Sequence, residues 1–357
     1  MPQDQAEAHG GETPNLKIMQ IMAGAPQGGA ETFYADLVLG LHEAGLDQVA
    51  VTRPDTARAR KLAAAGVRLA RYPKAPFPAW GRWGIHSLIN RHKPDVIQVW
   101  QGRAASHLPR TAVPSIGWFG GYYDLTRYRN CDHFVGVSHD IRRHLVESGV
   151  PEERAHSIHT FALLDNAPAA ERATWATPDK MPLLLVLARL HEKKGIDTLL
   201  KALSLVNGAW LWIAGDGELR ADLEKLAGKL GVADRTRFLG WRPERAALLR
   251  AADVVVLPSR YEPFGTVMIE AWQTGVPLIA AAAAGPAAYV KDGINGLLVP
   301  VDDAPALAVA IRRAIEDIGL RQALVAGGQR TYEAEFTKPR IVEAYLRLYR
   351  KLAAARR

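Results

Sequence analysis

The residues best suited to chemistry lie in the second half of the chain. Leu187-Ala-Arg189 ends an apolar run, and Lys194 follows in the next turn, before a helical pattern. Arginine presents a planar fork to phosphate, and lysine adds a compact charge. Two cations five residues apart across a strand-to-helix turn suit a diphosphate; a solvated helix start is the plainer alternative. Further on, Pro258-Ser-Arg-Tyr-Glu262-Pro-Phe264-Gly265-Thr266-Val-Met-Ile-Glu270 follows a buried-type strand. Gly265 falls where a helix begins, so free backbone N–H groups and the helix dipole face an anion there. Glu262 stands in the loop before that helix, and Glu270 lies five residues into it. Two carboxylates with a phosphate-seeking helix end between them fit sugar hydroxyls on either side of a diphosphate. The apolar neighbours Val267, Met268, Ile269 and Ala271 argue against Glu270 as an ordinary surface residue.

Glycines mark the other turns. Gly215-Asp-Gly217 follows the run Trp210 to Ala214 and permits either a tight turn or the close approach of a ligand. It is not the dinucleotide fingerprint, whose third glycine would stand where Arg220 is. In the first half, Gly28-Gly29-Ala-Glu31-Thr opens a helical pattern. Its amides could cradle an anion, or the glycines could serve a tight turn alone. Gly285-Pro286 and Asp292-Gly-Ile-Asn-Gly296 are turns after the run Pro277 to Ala281, the second mainly structural.

The elements that must position these residues alternate. Leu16 to Met22, Val49 to Val51, Asp95 to Trp100, Pro114 to Trp118 and His133 to Val137 read as strands. Helical patterns run over Ala30 to Ala44 and Thr56 to Ala65. Periodicity fails between Leu164 and Met181, a polar, proline-bearing stretch. Alternation restarts with strands at Leu183 to Ala188, Trp210 to Ala214, Thr236 to Leu239, Asp253 to Leu257 and Pro277 to Ala281. Strands alternating with helices argue for parallel sheets wrapped by helices, an α/β class. The expected organisation is a disordered tail over 1–14, a Rossmann-like domain over 15–165, a linker over 166–180, a second Rossmann-like domain over 181–336 and a final helix over 337–357. Open parallel sheets bind ligands beyond the carboxyl ends of their strands. Two of them facing a cleft could hold one substrate each.

Composition bounds the rest. At about 150 residues per domain, 357 residues give a prior of two domains. Hydrophobic residues make up 48% and charged ones 23%, which excludes collagen, coiled coil and long disorder. The longest apolar runs fall well short of the roughly 20 residues that span a bilayer. A single cysteine, Cys131, excludes a disulfide framework and a cysteine-rich zinc site. No Asp-x-Asp pair occurs, and His107, His133, His139 and His144 show no metal-like grouping. The expectation is no metal, no cofactor and a cytoplasmic protein. The net charge of +8 is uneven: Arg53 to Lys93 holds ten Lys/Arg and one acid, and Lys338 to Arg357 holds seven and one. These are two local basic fields, and they do not argue for nucleic acid.

Taken together, Arg189-Leu-His-Glu-Lys-Lys194-Gly, Gly215-Asp-Gly217, Ser259 to Ala271 and Asp292 to Gly296 resemble a retaining glycosyltransferase of family 4, with the two-domain GT-B fold. The resemblance covers about Leu183 to Pro300 in order and spacing. It implies that Arg189 and Lys194 hold the donor diphosphate and that Glu270 binds the ribose. It also implies that Glu262 holds the sugar near the Phe264 and Gly265 amides, with the base near Gly240 to Arg242. The Gly28–Gly29 turn would approach the donor phosphates. One departure is Gly285-Pro-Ala-Ala288, where the family often has a glutamate; this leaves the sugar open.

Val99-Trp-Gln-Gly-Arg103 and Phe119-Gly-Gly-Tyr122-Tyr-Asp124 resemble members linked to lipopolysaccharide core or related cell-envelope glycosylation. Arg103, Tyr122 and Asp124 are therefore acceptor candidates; core packing of the aromatics is an equal reading. Arg71 to Trp83 mixes cations with Phe77, Trp80 and Trp83. That suits an anionic membrane surface at the inner face of the cytoplasmic membrane, and a solvated proline-rich loop equally. Ile341, Tyr345, Leu348 and Leu352 form one stripe of a closing helix, which the resemblance sends back to the first domain. The expected reaction moves a hexosyl unit from a nucleotide diphosphate sugar, UDP favoured, to a glycan or glycolipid hydroxyl. A sugar-nucleotide epimerase of the same fold and a non-catalytic nucleotide-sugar binder are the alternatives.

Overall fold

In the computed structural model, residues 16–25, 28–73 and 77–356 are described. The expected tail over 1–14 lies outside them. The chain divides into two compact units. One comprises the chain up to Trp118, Asp124–Phe134 and the chain from Val342 onward; the other comprises Phe119–Tyr123 and Val135–Ile341.

Continuous apolar runs become central strands because helices cover both faces of a parallel sheet. In the first sheet, β1 (Lys17–Met22), β2 (Asp47–Thr52), β3 (Arg68–Arg71), β4 (Val96–Trp100), β5 (Ser115–Phe119), β6 (His133–Gly136) and β7 (Ala155–Ser157) take the order β3-β2-β1-β4-β5-β6-β7. The register pairs Met19 with Val49 on one side and with Ile97 on the other. The helices α1 (Gly29–Glu43), α2 (Ala57–Ala64), α3 (Pro78–His92), α4 (Gln101–His107) and α5 (His139–Glu147) connect these strands. Helix α5 starts sharply because Ser138 Oγ accepts the Ile141 N–H at 3.1 Å.

The second sheet has β8 (Leu183–Leu187), β9 (Trp210–Ala214), β10 (Thr236–Gly240), β11 (Val254–Leu257), β12 (Leu278–Ala281) and β13 (Leu297–Val299), in the order β10-β9-β8-β11-β12-β13. Every residue of β8 is buried. Helices α6 (Ile196–Ser204), α7 (Arg220–Lys229), α8 (Arg245–Ala251), α9 (Thr266–Thr274), α10 (Ala284–Tyr289), α11 (Ala304–Glu316) and α12 (Ile318–Glu335) wrap it. Leu184, Val186, Leu199, Ile213, Val256, Ile279 and Ile311 share one core.

Segment 166–180, read from the sequence as a linker, is fastened to the second unit. Arg172 donates to the Ala251 carbonyl and pairs with Asp253 at 2.9 Å, and Trp212 donates to Thr177 Oγ1 at 2.8 Å. The closing helix α13 (Lys338–Ala354) buries Ile341, Tyr345, Leu348 and Leu352 as the stripe required, and from Val342 it belongs to the first unit. There the buried Gln20 amide donates to Tyr349 Oη at 3.1 Å, Tyr349 donates to Gln98 Oε1, and Trp100 donates to Gln20 Oε1 at 3.0 Å. This polar network sits in an apolar sheet face, so each member depends on the others.

Candidate functional site

The turn after β8 exists because two glycines let another turn lie against it. A Cβ on Gly215 would stand 1.8 Å from the Ala188 carbonyl oxygen, and one on Gly217 would stand 2.4 Å from that of Leu190. Leu190 N–H donates to the Asp216 carbonyl at 3.0 Å, closing the two turns on each other. The close approach expected at Gly215 is therefore made by the chain's own backbone, and it fixes where Arg189 leaves the sheet. Arg189 is exposed, and among the described residues its guanidinium has no hydrogen bond or ion pair.

A second backbone contact brings Lys194 to Glu262. Gly195 follows Lys194 with φ +61°, and a Cβ there would meet the Pro258 carbonyl oxygen at 2.1 Å. The Lys193 carbonyl accepts the N–H groups of Arg260 (2.9 Å) and Tyr261 (3.1 Å), so the two loops are laced together. Arg260 completes the lacing: it pairs with Asp197 at 2.8 Å and Asp302 at 2.7 Å and donates to the Glu192 carbonyl at 2.7 Å. Burial works against the Asp197 charge, but the Arg260 hydrogen bond and charge hold its carboxyl below the usual range. Within this frame Lys194 Nζ lies 2.7 Å from Glu262 Oε2, and Ser259 Oγ lies 3.4 Å from the same oxygen.

Helix α9 begins four residues after Glu262. Gly265 takes φ +96°, a conformation costly for any other residue. The Gly285 N–H donates to the Glu262 carbonyl at 2.7 Å, and a Cβ on Gly285 would meet the Phe264 carbonyl oxygen at 2.4 Å. Gly285 and Pro286, expected as a turn, instead stand in the first turn of α10, and this helix start clamps the loop that presents Glu262. Phe264 is buried and stacks on His159, with ring centroids 5.9 Å apart, while Tyr289 and Phe336 close the cluster. Burial holds the His159 imidazole below its ordinary range. Thr266 is exposed at the first helical position, where backbone N–H groups lack helical partners.

One turn further, Glu270 is buried, as its apolar neighbours implied, and its Oε2 is held by Arg245. Burial raises the Glu270 carboxyl above its ordinary range, and the Arg245 charge opposes that rise. Arg245 carries no signal of its own in the residue pattern: it opens α8, and only the fold places it over Glu270. Near the expected base position, Trp241 is exposed and Arg242 lies over the Trp175 ring at 5.4 Å.

Tyr122 also belongs to the second unit. It donates to Asp140, and its ring meets Tyr261 at 6.1 Å, beside the Lys194–Glu262 loop pair. Four other candidates stand in the first unit. Gly28 and Gly29 open α1 above a buried acid: a Cβ on Gly28 would stand 2.4 Å from Glu31 Oε2, and Gln101 donates to Glu31 Oε1 at 2.7 Å. Buried Arg58 braces the turn by donating to the Ala25 carbonyl at 2.6 Å. Arg103 is exposed on α4. Asp124 caps the turn after it, accepting from Thr126 N at 2.9 Å and Thr126 Oγ1 at 2.6 Å, and these bonds hold its carboxyl low.

Comparison with known proteins decides the family. Residues 169–331 match the family model of glycosyl transferases group 1, and residues 27–162 match that of Glycosyltransferase Family 4. The chain is 34% identical over 329 residues to the lipopolysaccharide core biosynthesis glycosyltransferase LpsE of Rhizobium meliloti strain 1021, covering 90% of this chain and 95% of LpsE. The chain belongs to glycosyltransferase family 4. The glycosyltransferase is also 33% identical to LpsD of the same organism, over 96% of this chain and all of that one. In fold it resembles Anabaena HepE, solved in complex with UDP and glucose, with a TM-score of 0.79 at 20% identity over 93% of this chain and 99% of that one. The expected GT-B architecture of two Rossmann-like parallel-sheet domains with a returning C-terminal helix therefore holds. Among the described residues of the glycosyltransferase, no group of three or more His, Cys, Asp or Glu could hold a metal ion, and no helix is long and apolar enough to cross a membrane.

Proposed function

We propose that this glycosyltransferase moves a hexosyl unit from a UDP-sugar to a hydroxyl of a cell-envelope glycan or glycolipid, with lipopolysaccharide core the favoured acceptor class. The observation that carries the reading is the cluster of Lys194, Glu262, the α9 start and Glu270 on one set of interlocked loops. The names of LpsE and LpsD support the acceptor class, and the UDP complex of HepE supports the nucleotide.

In the proposed reaction the bond between the sugar C1 and the phosphate oxygen breaks, and C1 bonds to the acceptor oxygen on the same face. The acceptor's proton passes to the departing phosphate oxygen, so the anomeric configuration is retained. Negative charge grows on the diphosphate as it leaves. Arg189, Lys194 and the free amides at Gly265 and Thr266 are set in advance to stabilise it, without a metal ion. Glu270 is proposed to bind the ribose hydroxyls, and Glu262 and the Phe264 backbone the transferred sugar. Gly215 holds the turn that presents Arg189. In the first unit, Gly28 and Gly29 offer amides to an anion, and Arg103 is an acceptor contact. Tyr122, in the second unit, is another. Asp124 enters this reading only through the turn it caps.

A thermal-shift panel of UDP-, GDP- and ADP-sugars tests the proposal. A ligand at 100 times its Kd stabilises the native state by about 2.7 kcal/mol. The UDP compound should give the largest shift, and Glu270→Ala should abolish it. Equal shifts for the three nucleotides, or an unchanged response in the variant, would overturn the assignment.

A further inference from the structure

The ion pair at the start of α8 is only half used by the fold. Glu270 is 5% exposed, and Arg245 Nη2 donates to its Oε2. Among the described residues, Glu270 Oε1 accepts no hydrogen bond, and the Arg245 guanidinium has no partner besides Glu270. Arg245 Nε is buried and unpaired, while 41% of the side chain stays open to solvent. A buried N–H without a partner in a native fold calls for an explanation. Here a free donor and a free acceptor stand side by side. Two adjacent hydroxyls would satisfy both, one donating to Oε1 and the other accepting from the guanidinium.

The backbone beneath Arg245 is fixed. Its N–H donates to the Pro243 carbonyl at 2.8 Å as α8 begins. The loop leading to it leaves the sheet at Gly240, whose φ is +70° and whose carbonyl takes the Gly215 N–H at 2.8 Å. Within that loop Arg242 and Glu244 pair with each other at 3.5 Å, which leaves Arg245 to Glu270. Helix α9 packs on α8, α12, β11 and β12, and among the described residues Arg245 is the one charged group that acts on the Glu270 carboxyl. Without it, burial alone would favour the neutral acid, a weaker hydrogen-bond acceptor.

We infer that Arg245 is a ribose-specificity residue: it aims the Glu270 carboxylate at one ribose hydroxyl and takes the neighbouring hydroxyl with its own N–H groups, so that the site selects ribonucleotides over 2′-deoxyribonucleotides. This deepens the proposed function and rests on it for placing ribose at Glu270. It does not depend on which base the donor carries.

The test is calorimetric titration of UDP and 2′-deoxy-UDP into the parent, Glu270→Gln, Arg245→Met and Arg245→Lys, from pH 5.5 to 8.5. The GDP and ADP pairs are run alongside. The parent should bind UDP about tenfold or more tighter than 2′-deoxy-UDP, because a site built around a hydroxyl rejects the analogue lacking it. Arg245→Met should lose most of that preference by weakening UDP and leaving 2′-deoxy-UDP nearly unchanged. Arg245→Lys, which keeps the charge and an N–H donor, should restore part of it. As pH falls, UDP binding should weaken where Glu270 takes its proton. That fall should come at higher pH in Arg245→Met than in the parent, and be absent in Glu270→Gln. Equal losses for the two nucleotides in Arg245→Met, or a parent that does not discriminate, would overturn the inference while leaving Glu270 in place. An unchanged Kd for UDP in Glu270→Gln would overturn the ribose assignment itself, and the inference with it. Tighter binding of GDP or ADP would correct the base alone, and the same comparison then decides on that pair.

Discussion

Lys194 and Glu262, 68 residues apart in sequence, meet with Nζ 2.7 Å from Oε2. Neither side chain reaches the other by chance of rotamer. The Lys193 carbonyl takes two backbone N–H groups from the opposing loop, and Gly195 lets Pro258 approach. The pair therefore reports how precisely two motifs are held together. Lys194→Met and Glu262→Gln should each lower kcat/KM by about 100-fold or more, the scale for losing one preorganised charge-stabilising group. Each should also lower the melting temperature by leaving a half-buried charge unpaired, and the double variant should recover part of that loss. Fully additive melting shifts would show the pair to be incidental.

The backbone contact beneath that pair can be tested apart from charge. Gly195 and Gly231 both take positive φ, +61° and +66°, but only Gly195 has an atom in the way of a Cβ. Gly231→Ala should cost roughly 1 kcal/mol, the penalty of the conformation alone. Gly195→Ala should cost about 2 kcal/mol more, because the loops must separate or strain. Calorimetric melting of the two variants checks this. Equal losses would mean that the loops are not pinned at this point.

Glu270 gives a pH dependence with a definite sign. Burial raises its carboxyl, so the native state holds the neutral acid better than the charged one, and stability from this group is lost as pH rises. Arg245 offsets that loss. Arg245→Met should therefore lower the melting temperature more at pH 8 than at pH 4.5, near the ordinary glutamate range of about 4.3. A deficit independent of pH would separate Arg245 from the carboxyl.

The closing helix has its own test. Tyr349→Phe removes the hydroxyl that serves Gln20 and Gln98 inside the first sheet. The unpaired amides should cost about 1–3 kcal/mol. A melting temperature within experimental error of the parent would mean that the helix is held by its apolar stripe alone.

Much of this was legible in the residues. The all-apolar β8, the four-three-four spacing of Ile341, Tyr345, Leu348 and Leu352, and the Ser259 to Glu270 run each encode a local geometry, and each appears where that geometry demands. What could not be read were partners distant in sequence. Arg245 covers Glu270, Arg260 ties three elements, and Gly215 packs on Ala188, because the strand order folds those segments together. No spacing rule reports such contacts. The segment 166–180 shows the converse: its polar residues read as a linker because their partners, Asp253 and Trp212, lie far along the chain.

The account rests on Glu270 as a buried acid kept for a ligand and not for stability. The direct measurement is calorimetric titration of UDP into the parent and into Glu270→Gln, with both melting curves recorded at pH 8. Glutamine removes the buried charge, so the variant should melt no lower than the parent while its Kd for UDP weakens at least tenfold, about 1.4 kcal/mol. An unchanged Kd in the variant would contradict the account.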